Sequence, residues 1–397
     1  MKKLFLSSLT GALVLFLISA GSYGGVLQVP SKDFKTIQSA IDASAHGDTV
    51  LVGPGMYKEN LVVERLVSLV STEGPARTTI DAQRRGAALT YSQVPDSTGV
   101  VRGFTFKNGV GLHGGGVLVN NAFITVEGNV FVGDSARYGG ALCVLGSNSS
   151  IRRNTFKGNS ADYGGALYTM FLSPTIDSNT VEENRASIGG GLYLGTHSGA
   201  KVRGNVVRGN RAERGGGLFM NKSAPEVEDN LFVANRAEEG GGISSFRSTG
   251  QVRRNVLWKN HGARGAAVAL ADTSSPDIER NTLAFNSATD TLCAGLYTSA
   301  VFTRIVNNIF LGNSPGYAVY CVEGAYPVLS CNIFWDNETG NYLGLPAEPA
   351  DIHADPLFCA PGDGDFTLRG DSPALGGPCG TIGALREGCE APEEAEQ

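Results

Sequence analysis

The residues of this chain best suited to acid–base chemistry are Arg84, Arg85, Arg102, Lys107 and His113. A Lys, Arg or His that stands beside a group or a Ca²⁺ able to neutralise a carboxylate can withdraw a proton from the neighbouring carbon. All five precede or open the regular part of the sequence, where loops are long enough to wall a cleft; an ordinary solvated surface is the competing reading. Asp363 and Asp365 in "PGDGDF" have the spacing to bind Ca²⁺, in competition with a plain Gly-rich turn. No other metal or cofactor is indicated, because there is no CxxC and the histidine nearest to any cysteine, His353 before Cys359, stands alone.

A second set of candidates recurs at a fixed spacing. Tyr168, Tyr193 and Phe219 belong to a column that reads Leu118, Cys143, Tyr168, Tyr193, Phe219, Ser244 and later Tyr297 and Tyr320. Each follows an inward-facing apolar residue and should face out, so three exposed rings would make a flat ladder suited to sugar rings or to a partner protein. Beside it run Arg185, Arg211 and Arg236, with Glu213 and Glu238 two residues after the last two, read as a charged face whose members screen one another.

What positions these residues is a repeat. Asn129, Asn154, Asn179, Asn205, Asn230, Asn255, Asn281, Asn308 and Asn332 are separated by 25, 25, 26, 25, 25, 26, 27 and 24 residues. That is a solenoid period. Two residues after each Asn comes an apolar side chain (Phe131, Phe156, Val181 and so on to Phe334), three residues before it another (Val126 to Leu329), and a third follows the glycines (Val117 to Val319). Three inward segments per repeat predict about three strands per coil. Glycine in the middle of every unit excludes helical repeats, and one Leu per unit does not support a leucine-rich repeat. Strands of successive coils pair, so each column becomes a stack with a step of about 4.8 Å. The Asn stack is expected at a left-handed corner, bonding its amides along the axis, and the glycines at the next corner. A second corner series, Asp134, Asn159, Asn184, Asn210, Asn235 and Asn286, is followed two places on by Ala136, Ala161, Ala186, Ala212, Ala237 and Ala288, read as a corner too crowded for anything larger.

The ends differ from the middle. Residues 1–24 read as a secretory signal: Lys2 and Lys3, an apolar run from Ala12 to Ile18, then small residues, with cleavage between Ala20 and Gly24. No later segment is apolar enough to span a bilayer, so the chain is expected to be exported and to reside in the medium, the periplasm or the cell surface. Residues 25–112 read as an N-terminal cap and irregular first coils, with Phe34, Ile37 and Ile41 on one face of a short capping helix. Residues 113–338 are the regular repeats, 339–389 a C-terminal capping segment and 390–397 an acidic tail. Five of the seven cysteines fall late in the chain; Cys379 and Cys389 read as a disulfide, and the odd total leaves a free thiol. A net charge of -6 and the absence of a basic tract give no reason to meet nucleic acid.

The stretch "DFKTIQSAIDASAHGDTVLVGPGMYKENLVV" resembles the opening of many right-handed parallel β-helix proteins of the pectin-lyase-like superfamily, pectin methylesterases among them. Units pairing "FKGN" with "YGGALY" resemble the repeats of polymorphic outer membrane proteins, and "ADPLFC", "DFTLRGDSPA" and "CGTIGALREGC" resemble the closing segment of secreted bacterial β-helix proteins. The resemblance implies an all-β, right-handed parallel β-helix. It does not bring an activity, because the "NTD", "DD" and "GHG" set of polygalacturonases and the methylesterase residues beyond the shared opening are missing. Alanine at position 374, where such proteins often carry cysteine, leaves the partner of Cys359 open. Two functions therefore stand: a non-catalytic exported surface that binds a polysaccharide or a surface protein, and a carbohydrate-active enzyme, lyase or hydrolase, working at an irregular end.

Overall fold

The structure, a computed structural model, describes residues 24–299, 302–345 and 350–391. The expected leader and the acidic tail fall almost wholly outside them. Parallel strands wind into a solenoid in which each strand pairs with its counterpart one coil away, as in Phe156↔Val181, Leu167↔Leu192 and Ile176↔Val202. One 12-stranded sheet, a strand per coil, runs from Gly55–Tyr57 to Ile333–Trp335. The three apolar columns are the core, with every member between 0% and 3% exposed.

A regular coil has four short strands rather than three: Ser160–Tyr163, Leu167–Met170, Thr175–Asp177 and Thr180–Glu182. The additional one forms a 4-stranded sheet with Val110–His113, Ser135–Tyr138 and Arg185–Ile188, and isolated bridges carry it on through Arg211, Arg236 and His261. It places no large side chain in the core, so it carries no apolar alternation by which a sequence reading would find it.

Both corners are held by side-chain amides. Asn205 Nδ2 donates to Asn230 Oδ1 (2.9 Å) and to Ile176 O (2.8 Å), while its Oδ1 accepts from the Asn179 backbone N–H (2.9 Å) and Nδ2 (3.0 Å). The second series is also a ladder, and Asn260, Asn313 and Asn337 complete it. The asparagines are not the left-handed residues. Positive φ belongs to the residue before each one, as at Arg153 (53°), Ser178 (54°), Asp229 (55°) and Arg254 (53°). At Arg153, Ser178 and Asp229 that residue points its side chain to solvent, and the buried amide behind it holds the strained corner. At the glycine corner the roles divide. Gly164 takes φ 69° and also lacks room for a Cβ, which would lie 2.4 Å from Leu167 O, whereas Gly165 is required by space alone, its Cβ falling 2.2 Å from the carbonyl oxygen of Gly190 on the next coil.

Helix Ile37–Ala43 covers the first coil, burying Ile37, Ala40 and Ile41. Thr36 caps it, and the Glu59 carboxylate accepts the backbone N–H groups of Ile37 (2.9 Å) and Gln38 (3.0 Å). At the far end Asp351 closes the first ladder by accepting from Asn332 N–H (2.7 Å) and Nδ2 (3.1 Å). The remainder of the C-terminal segment folds back along the solenoid. Phe358, Phe366, Leu368 and Ile382 pack on outward residues of the 12-stranded sheet, among them Val256, Ile309 and Ile333, and Phe366 meets Trp258 at 5.8 Å. The expected Cys379–Cys389 disulfide does not form. Cys379 bonds Cys331, pinning this strap to the solenoid, and Cys389 bonds Cys359 inside the strap. Cys143, Cys293 and Cys321 are free and buried.

Candidate functional site

The stacking that makes columns also makes like charges meet, and the chain answers this in one place and not in another. One position after the inward Val126 series, the residues in register are Arg102, Glu127, Arg152, Asp177, Arg203, Glu228, Arg253 and Glu279, alternating in sign without exception. Glu127 accepts from Arg152 (2.7 Å) and Arg153 (2.8 Å) and pairs with Arg102 (3.4 Å). Burial pushes its carboxyl up, and these three cations more than reverse that, leaving it below the usual range. Glu228, nearly buried, gathers Arg203, Arg253 and Arg254. The alternating column is structural, and Glu228→Gln is expected to cost about 1–2 kcal/mol by leaving Arg253 without a carboxylate, while Arg203 keeps Glu226 and Arg254 keeps Asp229. Chemical denaturation of the pair checks it.

The column at Arg185, Arg211 and Arg236 behaves differently. Bridges pair Arg185 with Arg211, Arg211 with Arg236, and Arg236 with His261, so cations stack on cations. All three arginines are exposed, and among the described residues none forms an ion pair. The expected screening by Glu213 and Glu238 is absent because an alanine column separates the two rows. Ala161, Ala186, Ala212 and Ala237 are not a crowded corner; they floor a groove of about 590 Å³ that runs across the coils from Ser160 to Thr289. Arginines line it on one side, and Ser187, Glu213 and Glu238 on the other. Burial, and secondarily Arg236, lower the pKa of His261 at the end of the arginine row. A cleft thus lies in the middle of the regular repeats, where sequence reasoning expected none. The signal was present as three arginines at 26- and 25-residue spacing with no acid in their column.

The aromatic ladder is stacked as expected, with Tyr168 and Tyr193 centroids 4.9 Å apart and Tyr193 and Phe219 5.4 Å apart. It is not exposed: the three rings keep only 3%, 6% and 3% of their surface in water. Tyr138, Tyr163 and Ile188, carried by the fourth strand, lean over them and seal them into a satellite core with Cys143. Burial raises the pKa of the Tyr168 and Tyr193 hydroxyls and of the Cys143 thiol.

The candidates at the irregular end are dispersed. Arg102 is tied to Glu127, Lys107 to Asp81 (3.5 Å), and His113 stacks on Tyr138 (5.2 Å). Arg84 and Arg85 stand exposed at a turn. Asp365 accepts the Thr367 hydroxyl (2.6 Å) and backbone N–H (2.9 Å), bonds that lower its pKa and close the turn; Asp363 ends a short 3₁₀ turn. Among the described residues no cluster of three His, Cys, Asp or Glu side chains could hold a metal, and no helix is long and apolar enough to cross a membrane.

Residues 93–283 match the family model described as a right handed beta helix region. A solved structure of a pectin methylesterase in complex with a hexasaccharide is similar over 85% of this chain and 94% of that one, at 11% identity and a TM-score of 0.29. That likeness leaves the activity of this chain to its own residues. No curated protein matches the sequence.

Proposed function

We propose that this right-handed parallel β-helix protein is an exported, non-catalytic binding surface for an acidic polysaccharide, which lies along the arginine groove. The observation that carries the reading is the unpaired stack of Arg185, Arg211 and Arg236 in a chain that alternates charge where a column is only structural. Each coil advances about 4.8 Å and offers a guanidinium fork. Such forks bind carboxylates in two parallel hydrogen bonds. Across the alanine floor, Ser187, Glu213 and Glu238 offer acceptors to hydroxyl groups. A polymer bearing both carboxylates and hydroxyls meets both rows at once. Two disulfides support action in an oxidising compartment, as does the leader-like start. The lyase or hydrolase alternative is not favoured over this reading, because Arg102, Lys107 and His113 are each engaged by neighbours and do not converge.

The test is retention on polygalacturonate and alginate against neutral glucan and mannan, at low and high salt. Binding to the acidic polymers should fall steeply with salt, since exposed charges are screened. The variant Arg185→Ser/Arg211→Ser/Arg236→Ser should bind at least tenfold more weakly with an unchanged melting temperature and no turnover in either protein. Equal binding by parent and variant, or capture of an acidic protein and of no polysaccharide, overturns the proposal.

A further inference from the structure

Next to the sealed aromatic ladder, on the face adjoining the arginine groove, the first regular coils enclose a second cleft of about 470 Å³. The geometry points to a binding site there for a single neutral pyranose ring, supplied by an uncharged saccharide and recognised independently of the arginine groove.

One wall is a stack of rings. His113 and Tyr138 line the cleft, stacked at 5.2 Å with planes 16° apart; Tyr163, outside the lining, continues the stack at 5.3 Å, and Tyr138 in turn rests at 5.2 Å on the buried Tyr168. Tyr168, of the inner ladder, thus backs Tyr138 and forms part of the cleft lining with it. Met170 and Phe171 also line the cleft. Phe171 has a φ of 61°, which swings its side chain away from the coil and leaves it 47% exposed. Phe171 packs on His197 at 6.4 Å, and the part of its ring left open, together with the half-buried Tyr138, gives the cleft an apolar surface that a ligand can cover.

The polar groups select what enters. Asn120, Asn121 and the imidazole of His113 line the cleft, and among the described residues none of their side chains has a hydrogen-bond partner. An amide both donates and accepts, as does a sugar hydroxyl, whereas the ring C–H face of a pyranose stacks on an aromatic side chain. No carboxylate, ammonium or guanidinium lines the cleft, so nothing in it rewards a charged ligand. Gly146 makes the space. A Cβ there would lie 2.5 Å from Asn121 Oδ1, and both residues take positive φ, 56° and 48°. The corner is thus shaped to let the Asn121 amide reach the cleft.

Calorimetry and saturation-transfer NMR on the mature protein, with neutral gluco-, xylo-, manno- and galacto-oligosaccharides, test the site. At least one should bind with an affinity unaffected by 0.5 M salt, a concentration of about a 4 Å Debye length that abolishes exposed ionic attraction. Asn121→Gly keeps the positive φ and deletes the amide; it should weaken binding at least fivefold without lowering the melting temperature. Tyr138→Ala should weaken binding through the lost stacking face and Gly146→Ala by closing the corner; both should also lower the melting temperature, the first by opening the satellite core and the second by placing a Cβ at φ 56°, so their binding is read at a temperature where each is folded. The triple arginine variant should bind these sugars as the parent does, so failure of the groove and failure of the cleft are distinguishable. The proposal is overturned by a panel in which no sugar binds, by binding that survives both Asn121→Gly and Tyr138→Ala, or by indole or phenol outcompeting every saccharide.

Discussion

Asn205→Ala should lower the stability of the solenoid by about 3 kcal/mol, read as a shift of the urea midpoint at unchanged slope. The estimate follows from what the side chain joins. Its Oδ1 is the acceptor for both the backbone N–H and the Nδ2 of Asn179, and its own Nδ2 serves Ile176 O, Arg203 O and Asn230 Oδ1. Asn205 is 1% exposed and sits between neighbours that are equally covered, so water cannot replace what the alanine removes. Each buried polar group left without a partner costs about 1–3 kcal/mol, and relaxation of the coil recovers part of the sum. The residue before it, Gly204, keeps its φ of 61° without the amide. The same change at Asn255 should therefore cost more, because Arg254 at φ 53° depends on the ladder to hold a conformation that arginine resists. Equal midpoints for parent and Asn205→Ala would mean that the ladder contributes no net stability.

The fold was legible in the sequence because a solenoid writes its geometry as a period. Phe131, Phe156, Val181 and their successors can only recur every 25 residues if each lies over the last, and all prove buried in register. The candidate site was less legible, for a physical reason. Tyr168 faces out from its strand as expected, yet its burial is decided by Tyr138 and Tyr163, which reach it across the glycine corner from a strand with no apolar pattern. A single-strand rule sees the direction of a side chain and not what leans over it. The strap was misread in the same way: the outward positions of the 12-stranded sheet change from Thr155 and Thr180 to Val256, Ile309 and Ile333, which marks a covered face, but only the folded chain shows Phe366 doing the covering. Disulfide partners followed from that path, since Cys379 is carried along the solenoid to Cys331 and away from Cys389.

Asp134 departs from its ladder, and Asp134→Asn should stabilise the protein by about 4 kcal/mol at pH 7 while changing little at pH 4. Every later member of the second ladder is an asparagine whose Nδ2 donates to a carbonyl on the preceding coil, as Asn159 does to Phe131 O (3.1 Å). Phe106 stands in register with Phe131, so the equivalent acceptor for position 134 is Phe106 O. Asp134 Oδ1 accepts from Gly109 N–H (2.7 Å), but Oδ2, which occupies the donor's place, is buried with no partner. Ionised, it would set an acceptor against an acceptor inside a side chain only 1% exposed. Burial, with a smaller contribution from the charge of Asp81, pushes its pKa up to about 8 against the Gly109 hydrogen bond. The proton is therefore held more tightly by the folded chain than by the unfolded one, where aspartate titrates near its ordinary value of 3.8. Stability from this group is complete below that value and is lost at about 1.4 kcal/mol per pH unit as pH rises towards 8, above which the loss levels off. Asparagine supplies the missing donor at every pH and has nothing to titrate. Unfolding free energies measured at pH 4.5, 6 and 8 should thus diverge between parent and variant, by an amount that grows with pH. Parallel profiles would show that Asp134 is ionised in the folded state and that its Oδ2 is satisfied in another way.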